Sequence, residues 1–318
     1  MKVVVLAGGV GGARMALGFH GVVPAADLSV IVNVGDDERF HGLLVCPDLD
    51  TVLYTLAGVV DRNQAWGVAD DGTRALEVLR RLDSPGAWMK LGDADLGLHI
   101  HRANRLAQGA SLTAVMAEVA RAFGLACALL PVTDTPSPTL VETDTGTLRF
   151  QEWFVRDRAQ PAVRGLRFPE AAAARLTDPA AAALRAADLI VLAPSNPWLS
   201  IAPMLEVGGM RAALRAAPGV RLAVSPLIGG KAIKGPLNKL MQDLSLGDSQ
   251  ADIAAAYAGL ADCFVIDDSD AAEAAGIARR ASMEVVAMPT LIPDAPRAEA
   301  LARRMLAHAR GAARGARE

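Results

Sequence analysis

Two stretches of the chain combine residue types and spacings that can do chemistry. LAGGVGGAR, residues 6–14, leads from a run of aliphatic residues through glycines into a helical pattern. A strand that turns through glycines into a helix presents backbone N–H groups and the positive end of the helix dipole, a cradle for phosphate. The stretch NVGDDERFHGLLVCPDLDT, residues 33–51, then sets Asp36, Asp37, Asp48 and Asp50 just past the end of a second strand-like run. Grouped carboxylates beside a phosphate cradle suit Mg²⁺ that also touches substrate phosphates. Single aspartates in such positions also cap helices, and Asp50 ahead of TVLYTL is placed to do so. Four beside a glycine turn favour the metal.

The glycine turn does not match either common nucleotide fingerprint. In GxGxxG terms, Gly9-Val10-Gly11 is followed by Arg14 where the last glycine would stand, and the second strand ends IVNVG with no acid for a ribose. No GK[ST] follows, which excludes a P-loop. Two later motifs extend the phosphate theme. LAPSNPWLSIAP places Ser195, Asn196 and Ser200 past a strand that the prolines must end. SPLIGGKAIKGP sets Gly229 and Gly230 before Lys231 and Lys234, which predicts a second anion cradle opening a helix. The combined expectation is a diphosphate-bearing ligand across a crevice. WMKLGDADL adds Lys90 beside Trp88, and Trp66 offers a further flat face, although packing is the usual fate of tryptophan. His41 lies between the aspartate pairs, where it can either touch a ligand or serve a purely structural role in the loop. His99 and His101 point to different faces of a helix and are assigned no chemistry.

The elements that must position these residues follow from periodicity. Nearly unbroken aliphatic runs near 2–6, 28–33, 188–193, 220–225, 263–266 and 284–287 predict six strands of a mainly parallel sheet covered by helices on both faces. Between them, 51–123 carries four apolar stripes at helical spacing, which predicts an inserted helical lobe after the second strand. Thr145-Gly146 predicts a β-hairpin near 139–155, and 156–187 reads as irregular chain and a helix. The fold class expected is α/β: a Rossmann-like three-layer core formed by 1–50 and 124–310, with the lobe, the hairpin and a flexible tail over 311–318, the chain fraying after Leu306.

Composition bounds the partners. The chain has 318 residues, 52% hydrophobic and 21% charged, enough to bury a large core, and a formal net charge of -3 that excludes nucleic acid as an expected partner. Cys46, Cys127 and Cys263 are far apart and form no CxxC pair, so no disulfide framework is indicated. No run is long enough to span a membrane, and a cytoplasmic protein is expected.

Taken in order and spacing, GGVGGAR, NVGDD with HGL and VCPDLDTV, LGDADL, LAPSNP with SIAP, and SPLIGGKAIKGP resemble the CofD family across about the first 245 residues. These are the 2-phospho-L-lactate transferases of coenzyme F420 biosynthesis. The resemblance implies transfer of a phosphoacid (2-phospholactate, phosphoenolpyruvate or 3-phosphoglycerate) from its guanosine diphosphate-activated form to the ribityl hydroxyl of the deazaflavin FO. GMP is released. It further implies Mg²⁺, a homodimer, FO contacts at Asp50, Thr51, Lys90 and His41, and a guanosine diphosphate site at Gly9, Gly11, Gly12, Ser195, Asn196, Ser200, Gly229, Gly230, Lys231 and Lys234. The metal ligands expected are Asp36, Asp37, Asp48 and Asp50, with Asp50 also the catalytic group that orients or deprotonates the hydroxyl. Ala94 replaces an arginine common in LGDRDL, and Pro136 and Pro138 stand where polar residues are frequent, which leaves the phosphoacid open. The rival readings are an NAD-dependent oxidoreductase, motivated by the glycine turn, and a non-catalytic nucleotide-binding protein of the same architecture. Neither needs four carboxylates beside the phosphates.

Overall fold

The structure is a computed structural model that describes residues 1–233 and 235–315. Seven parallel strands build its centre: β1 (Val3–Ala7), β2 (Leu28–Val32), β3 (Ala128–Pro131), β4 (Leu189–Leu192), β5 (Val220–Val224), β6 (Cys263–Asp267) and β7 (Glu284–Met288). In space they run β7-β6-β5-β4-β1-β2-β3. The chain therefore winds outward from β1 in one direction, returns to the centre at β4, and winds out the other way. Strands covered on both faces should be aliphatic throughout, and every residue of β1, β4 and β6 is buried.

The sheet has one more strand than periodicity predicts. β3 is four residues long, ends in proline and lies at the sheet edge, where a missing N–H costs no ladder bond. Its partner is β2, in register from Ser29 opposite Ala128 to Val32 opposite Pro131.

Helices flank the sheet. α1 (Gly9–His20) packs on α2 (Pro47–Leu56) and on the C-terminal helix Ala295–Gly315. α3 (Arg74–Arg81), α4 (Asp93–Ala107) and α5 (Leu112–Ala122) complete the helical segment between β2 and β3, and α5 lies against β3. Apolar side chains of α2 and α5 are continuous with the core of the sheet. The C-terminal helix, expected to fray after Leu306, is helical to Gly315, with Leu301, Ala302, Met305, Leu306 and Ala309 buried and Arg310–Ala312 exposed. Residues 316–318 of the expected tail lie outside the described residues.

The hairpin predicted at Thr145-Gly146 forms, between Leu140–Thr143 and Gly146–Arg149. A third antiparallel strand, Val163–Arg167, joins it from the segment expected to be irregular. Trp153, Val141, Val163, Leu199 and Leu240 make a small core beneath this unit. Phe150 packs against that core and Phe154 stacks on Phe150 at 5.4 Å, and both line the cleft at the carboxyl ends of the strands.

Candidate active site

The strand order reverses between β1 and β4, and the loops leaving these two strands separate there. Ligands of open α/β sheets sit in that crevice, outside the carboxyl ends of the strands. Here it is a cleft of about 490 Å³. One wall is Gly8–Gly11 and Arg14, a second is Pro194–Asn196 with Leu199 and Ser200, and the floor includes Asp36 and Asp48. Trp66, Phe150 and Phe154 stand at its mouth.

The glycines allow the two loops to interlock. A Cβ on Gly8 would fall 2.5 Å from Ser200 Cβ, and one on Gly11 2.5 Å from the Pro194 carbonyl oxygen. Ser195 closes the junction: its hydroxyl donates to the Gly8 carbonyl at 2.7 Å and accepts the Gly8 N–H at 3.2 Å. Asn196 Oδ1 accepts the N–H groups of Trp198 and Leu199, which caps the turn that follows. The Gly9 N–H, at a left-handed φ of +60°, donates to Asp48 Oδ1 at 2.6 Å. The next amides of α1 have no intrahelical partner, and Val10 and Gly11 line the cleft, so this end of the helix can receive an anion. Arg14 adds a cation on the same wall, steadied by a 3.0 Å bond to the Ile292 carbonyl.

The four aspartates are divided by geometry. Asp36 and Asp48 share the cleft and are bridged by Asn33, whose Nδ2 donates to Asp48 Oδ2 at 3.0 Å and to Asp36 Oδ1 at 3.5 Å. Burial pushes the Asp48 carboxyl up to about 6, against the Asn33 and Gly9 hydrogen bonds that favour its charge. Burial, followed by the charge of Asp48, raises Asp36 well above the ordinary carboxylate range. Two desolvated carboxylates, one of which raises the proton affinity of the other, are a donor pair that a hard dication relieves. Asp37 turns away from the cleft toward Cys46, and its buried Oδ1 lacks a hydrogen-bond partner.

Asp50 faces elsewhere. Both its oxygens are taken by Arg102, which is fully buried on α4; Nη1 donates at 3.2 Å and Nη2 makes the second contact. His99 Nδ1 lies 3.8 Å from the same carboxylate. Asp50 and its neighbour Thr51 are buried in α2 and are not among the residues lining the cleft. Sequence spacing set Asp48 and Asp50 together, yet two residues on a helix differ by roughly 200° in direction. A set of four metal-binding aspartates is therefore not what the fold assembles.

The remaining expected contacts also separate. His41 sits in the turn between Glu38–Phe40 and Leu43–Val45, with Nδ1 3.2 Å from Ser84 Oγ, away from the cleft. Lys90 borders a smaller adjoining hollow of about 170 Å³, where its Nζ donates to Gln64 at 2.8 Å and stands 5.4 Å over the Trp66 ring. Trp66 and Gln64 line both hollows. Trp88 is packed edge-on against Phe40 at 5.2 Å. In LGDADL, Asp93 accepts the N–H groups of Arg74 and Ala75 at the start of α3, and Asp95 accepts the Tyr54 hydroxyl at 2.7 Å; Asp71, outside the motif, accepts the N–H groups of Ala94 and Asp95 in α4.

Gly229 and Gly230 do not open a helix. Both have positive φ, 58° and 72°, and form the two-residue turn of a hairpin that pairs Leu227–Ile228 with Lys231–Ala232. Primed hairpin turns require this conformation, which explains both glycines without an anion. Lys231 is exposed and outside the cleft, whereas the flanks of the hairpin, Ile228 and Ala232, line it. Lys234 lies outside the described residues. Sequence reasoning passed over Arg14, Gln64, Phe150, Phe154 and the segment Thr290–Ile292, all of which line the cleft. Arg14 alone carried a signal, as the residue that breaks the dinucleotide fingerprint.

A family model for 2-phospho-L-lactate transferase CofD matches residues 3–305. The chain is 38% identical over 311 residues to the phosphoenolpyruvate transferase of Mycobacterium avium, covering 88% of this chain and 92% of that one. It is also 38% identical over 318 residues to the phosphoenolpyruvate transferase of Mycobacterium tuberculosis, covering 92% and 94%. Among solved structures, a UPF0052 family protein from Bacillus halodurans superposes with a TM-score of 0.64 over 96% of this chain and 98% of that one, at 16% identity. This last likeness speaks to the fold alone. No helix among the described residues is long and apolar enough to cross a membrane.

Proposed function

The chain belongs to the CofD family, transferases of coenzyme F420 biosynthesis, and we propose that it moves a phosphoenolpyruvate unit from a guanosine diphosphate-activated donor to the ribityl hydroxyl of FO, releasing GMP. The choice of phosphoenolpyruvate rests on the names of the relatives at 38% identity. The observation that carries the reaction class is the meeting, in one cleft, of a helix N-terminus whose amides beyond Gly9 are open, Arg14, and the Asp36–Asp48 pair, with aromatic rings at the mouth.

In this reading the first-turn amides of α1 and the Arg14 guanidinium bind the diphosphate. Asp36 and Asp48 would hold Mg²⁺, which supplies charge neutralisation to the diphosphate. Trp66, Phe150 and Phe154 offer faces for a flat tricycle, and Lys90 and Gln64 would receive polar groups in the adjoining hollow. The ribityl oxygen forms a bond to the phosphorus distal to guanosine, and the bond from that phosphorus to the bridging oxygen breaks, so that oxygen leaves with GMP. The hydroxyl proton passes to solvent. Transfers of this kind ask for alignment and charge neutralisation more than for a strong base, in keeping with a cleft from which Asp50 is turned away. We assign Asp50 to holding α2 against α4 through Arg102.

The test is to incubate the protein with Mg²⁺ and FO and each of three guanylated donors, carrying 2-phospholactate, phosphoenolpyruvate or 3-phosphoglycerate, and to identify products by mass. Dehydro-F420-0 and GMP are expected, with the phosphoenolpyruvate donor turned over fastest. Absence of GMP release with every donor overturns the proposal. Faster turnover of another donor overturns only the choice of phosphoacid.

A further inference from the structure

Three metal-type side chains meet far from the cleft. Cys263 opens β6 and Glu284 opens β7, and the parallel register sets these two residues opposite one another. Register partners on neighbouring strands send their side chains to the same face. The C-terminal helix brings His308 to that face, with Nε2 3.9 Å from Glu284 Oε2. That nitrogen is buried and has no hydrogen-bond partner. One ligand atom from each of the three residues lies within 4.8 Å of the other two, and no other such trio occurs among the described residues. The trio is at the amino ends of the strands, whereas the cleft is at their carboxyl ends.

We propose that Cys263, Glu284 and His308 form a second cation site, built for Zn²⁺ or a similarly soft divalent ion, with water as the fourth ligand. Sulfur and imidazole donors select Zn²⁺ over Mg²⁺, which prefers an all-oxygen shell. Metal-to-ligand distances of about 2.0–2.3 Å require the three atoms to close in from their present separation. Glu284 can supply the movement, since its side chain is 57% exposed. Burial, with the Glu284 charge second, pushes the Cys263 thiol up to about 12, so zinc must displace a proton that passes to buffer. An ion here ties the C-terminal helix to β6 and β7, and its effect falls on stability and not on the transfer reaction.

The experiment titrates the full-length protein, stripped with chelator, with Zn²⁺ in the presence of saturating Mg²⁺ that occupies cleft carboxylates. Calorimetry in two buffers of different ionisation heat reads both stoichiometry and proton release. One zinc equivalent, release of about one proton and a higher thermal midpoint are expected. His308→Gln and Cys263→Ala should each weaken binding by more than about 100-fold, beyond what outer partners of a metal site cost. With Co²⁺ as probe, a thiolate charge-transfer band should appear in the wild type and vanish in Cys263→Ala. His308→Gln, at a partly exposed position, keeps the test valid if the cysteine variant misfolds. Failure to bind zinc, or binding untouched by His308→Gln, overturns the site: Cys263 is then a small apolar core residue and His308–Glu284 a surface ion pair. The transferase assay is indifferent to either result.

Discussion

At the scale of single residues, the site turns on carboxylates that the fold has removed from water. Asp48 is the one whose behaviour can be followed by pH. Its carboxyl stands near 6 in the folded protein, against an ordinary value of 3.8. The folded chain thus holds this proton more tightly than the unfolded chain does. Without a divalent cation, the group stabilises the fold below about pH 4 and loses that contribution as pH rises through about 6. In the proposed reaction catalysis would run the opposite way, because a carboxylate must be ionised to hold a cation. Acidification through pH 6 should therefore raise the stability supplied by Asp48 while lowering turnover. Denaturant unfolding of metal-free wild type and Asp48→Asn between pH 4 and 7.5 checks the first part. The wild-type curve should show the extra fall toward neutral pH and the variant should lack it. Turnover of Asp48→Asn should drop by at least about 100-fold, while the Asn Oδ1 still accepts the Gly9 N–H and preserves the turn. Saturating Mg²⁺ should move the acid limb of the wild-type activity profile to lower pH, since cation and proton compete for the same oxygens. An acid limb independent of Mg²⁺ removes Asp48 from the metal site.

At the scale of elements, the pairing of α2 with α4 through Asp50 and Arg102 is the least visible part of the sequence and the most consequential for reading it. A buried ion pair is costly to break one partner at a time. Arg102→Met should destabilise the protein by about 3–5 kcal/mol by leaving Asp50 buried and unpaired, and the double variant Asp50→Asn/Arg102→Met should recover much of that loss. A double-mutant cycle by chemical denaturation measures it. A positioning role also predicts that the folded fraction of Asp50→Asn retains turnover within a range smaller than the loss of about 10²- to 10⁴-fold that removing a general base produces. A turnover loss of that size without loss of stability returns Asp50 to the catalytic machinery. Six strands are legible as unbroken aliphatic runs covered on both faces, the helices of 51–123 by apolar residues at helical spacing, although α3 buries only Leu76, and the hairpin by its turn between alternating runs. Periodicity missed β3 and Val163–Arg167, short edge strands broken by proline or glycine, which carry too few residues to set a period. It also read the glycine pair at 229 and 230 by composition, where the distinction between an anion cradle and a hairpin turn lies in what the flanking residues pair with.

At the scale of the whole molecule, the site exists only because distant segments end at one rim. Gly8–Gly11 follow β1, Asp36 follows β2, Pro194–Ser200 follow β4, Ser225 follows β5 and Thr290–Ile292 follow β7. Sequence reading found the first three as motifs and expected them to share one crevice, and the strand order places that crevice where the winding reverses. A ligand at that rim must therefore act on segments as far apart in the chain as Gly8 and Ile292. GDP with Mg²⁺ binding only the folded state stabilises it by about 2.7 kcal/mol at 100 times the dissociation constant, so the thermal midpoint should rise with ligand concentration. The more discriminating measurement is amide hydrogen exchange with and without GDP and Mg²⁺. Protection should appear together at Gly8–Gly12, Ser195–Ser200 and Thr290–Ile292. The Gly229-Gly230 turn should gain less, because its tip stands outside the cleft while only its flanks line it. Protection centred on Gly229–Lys231 with none at Gly8–Gly12 would place the diphosphate on the hairpin, and the reading of the cleft as a helix-terminus phosphate site would fall with it. Co-protection of all three segments, absent when Asp36 and Asp48 are both replaced by asparagine, ties the binding to the carboxylate pair and to the topology that brings it under α1.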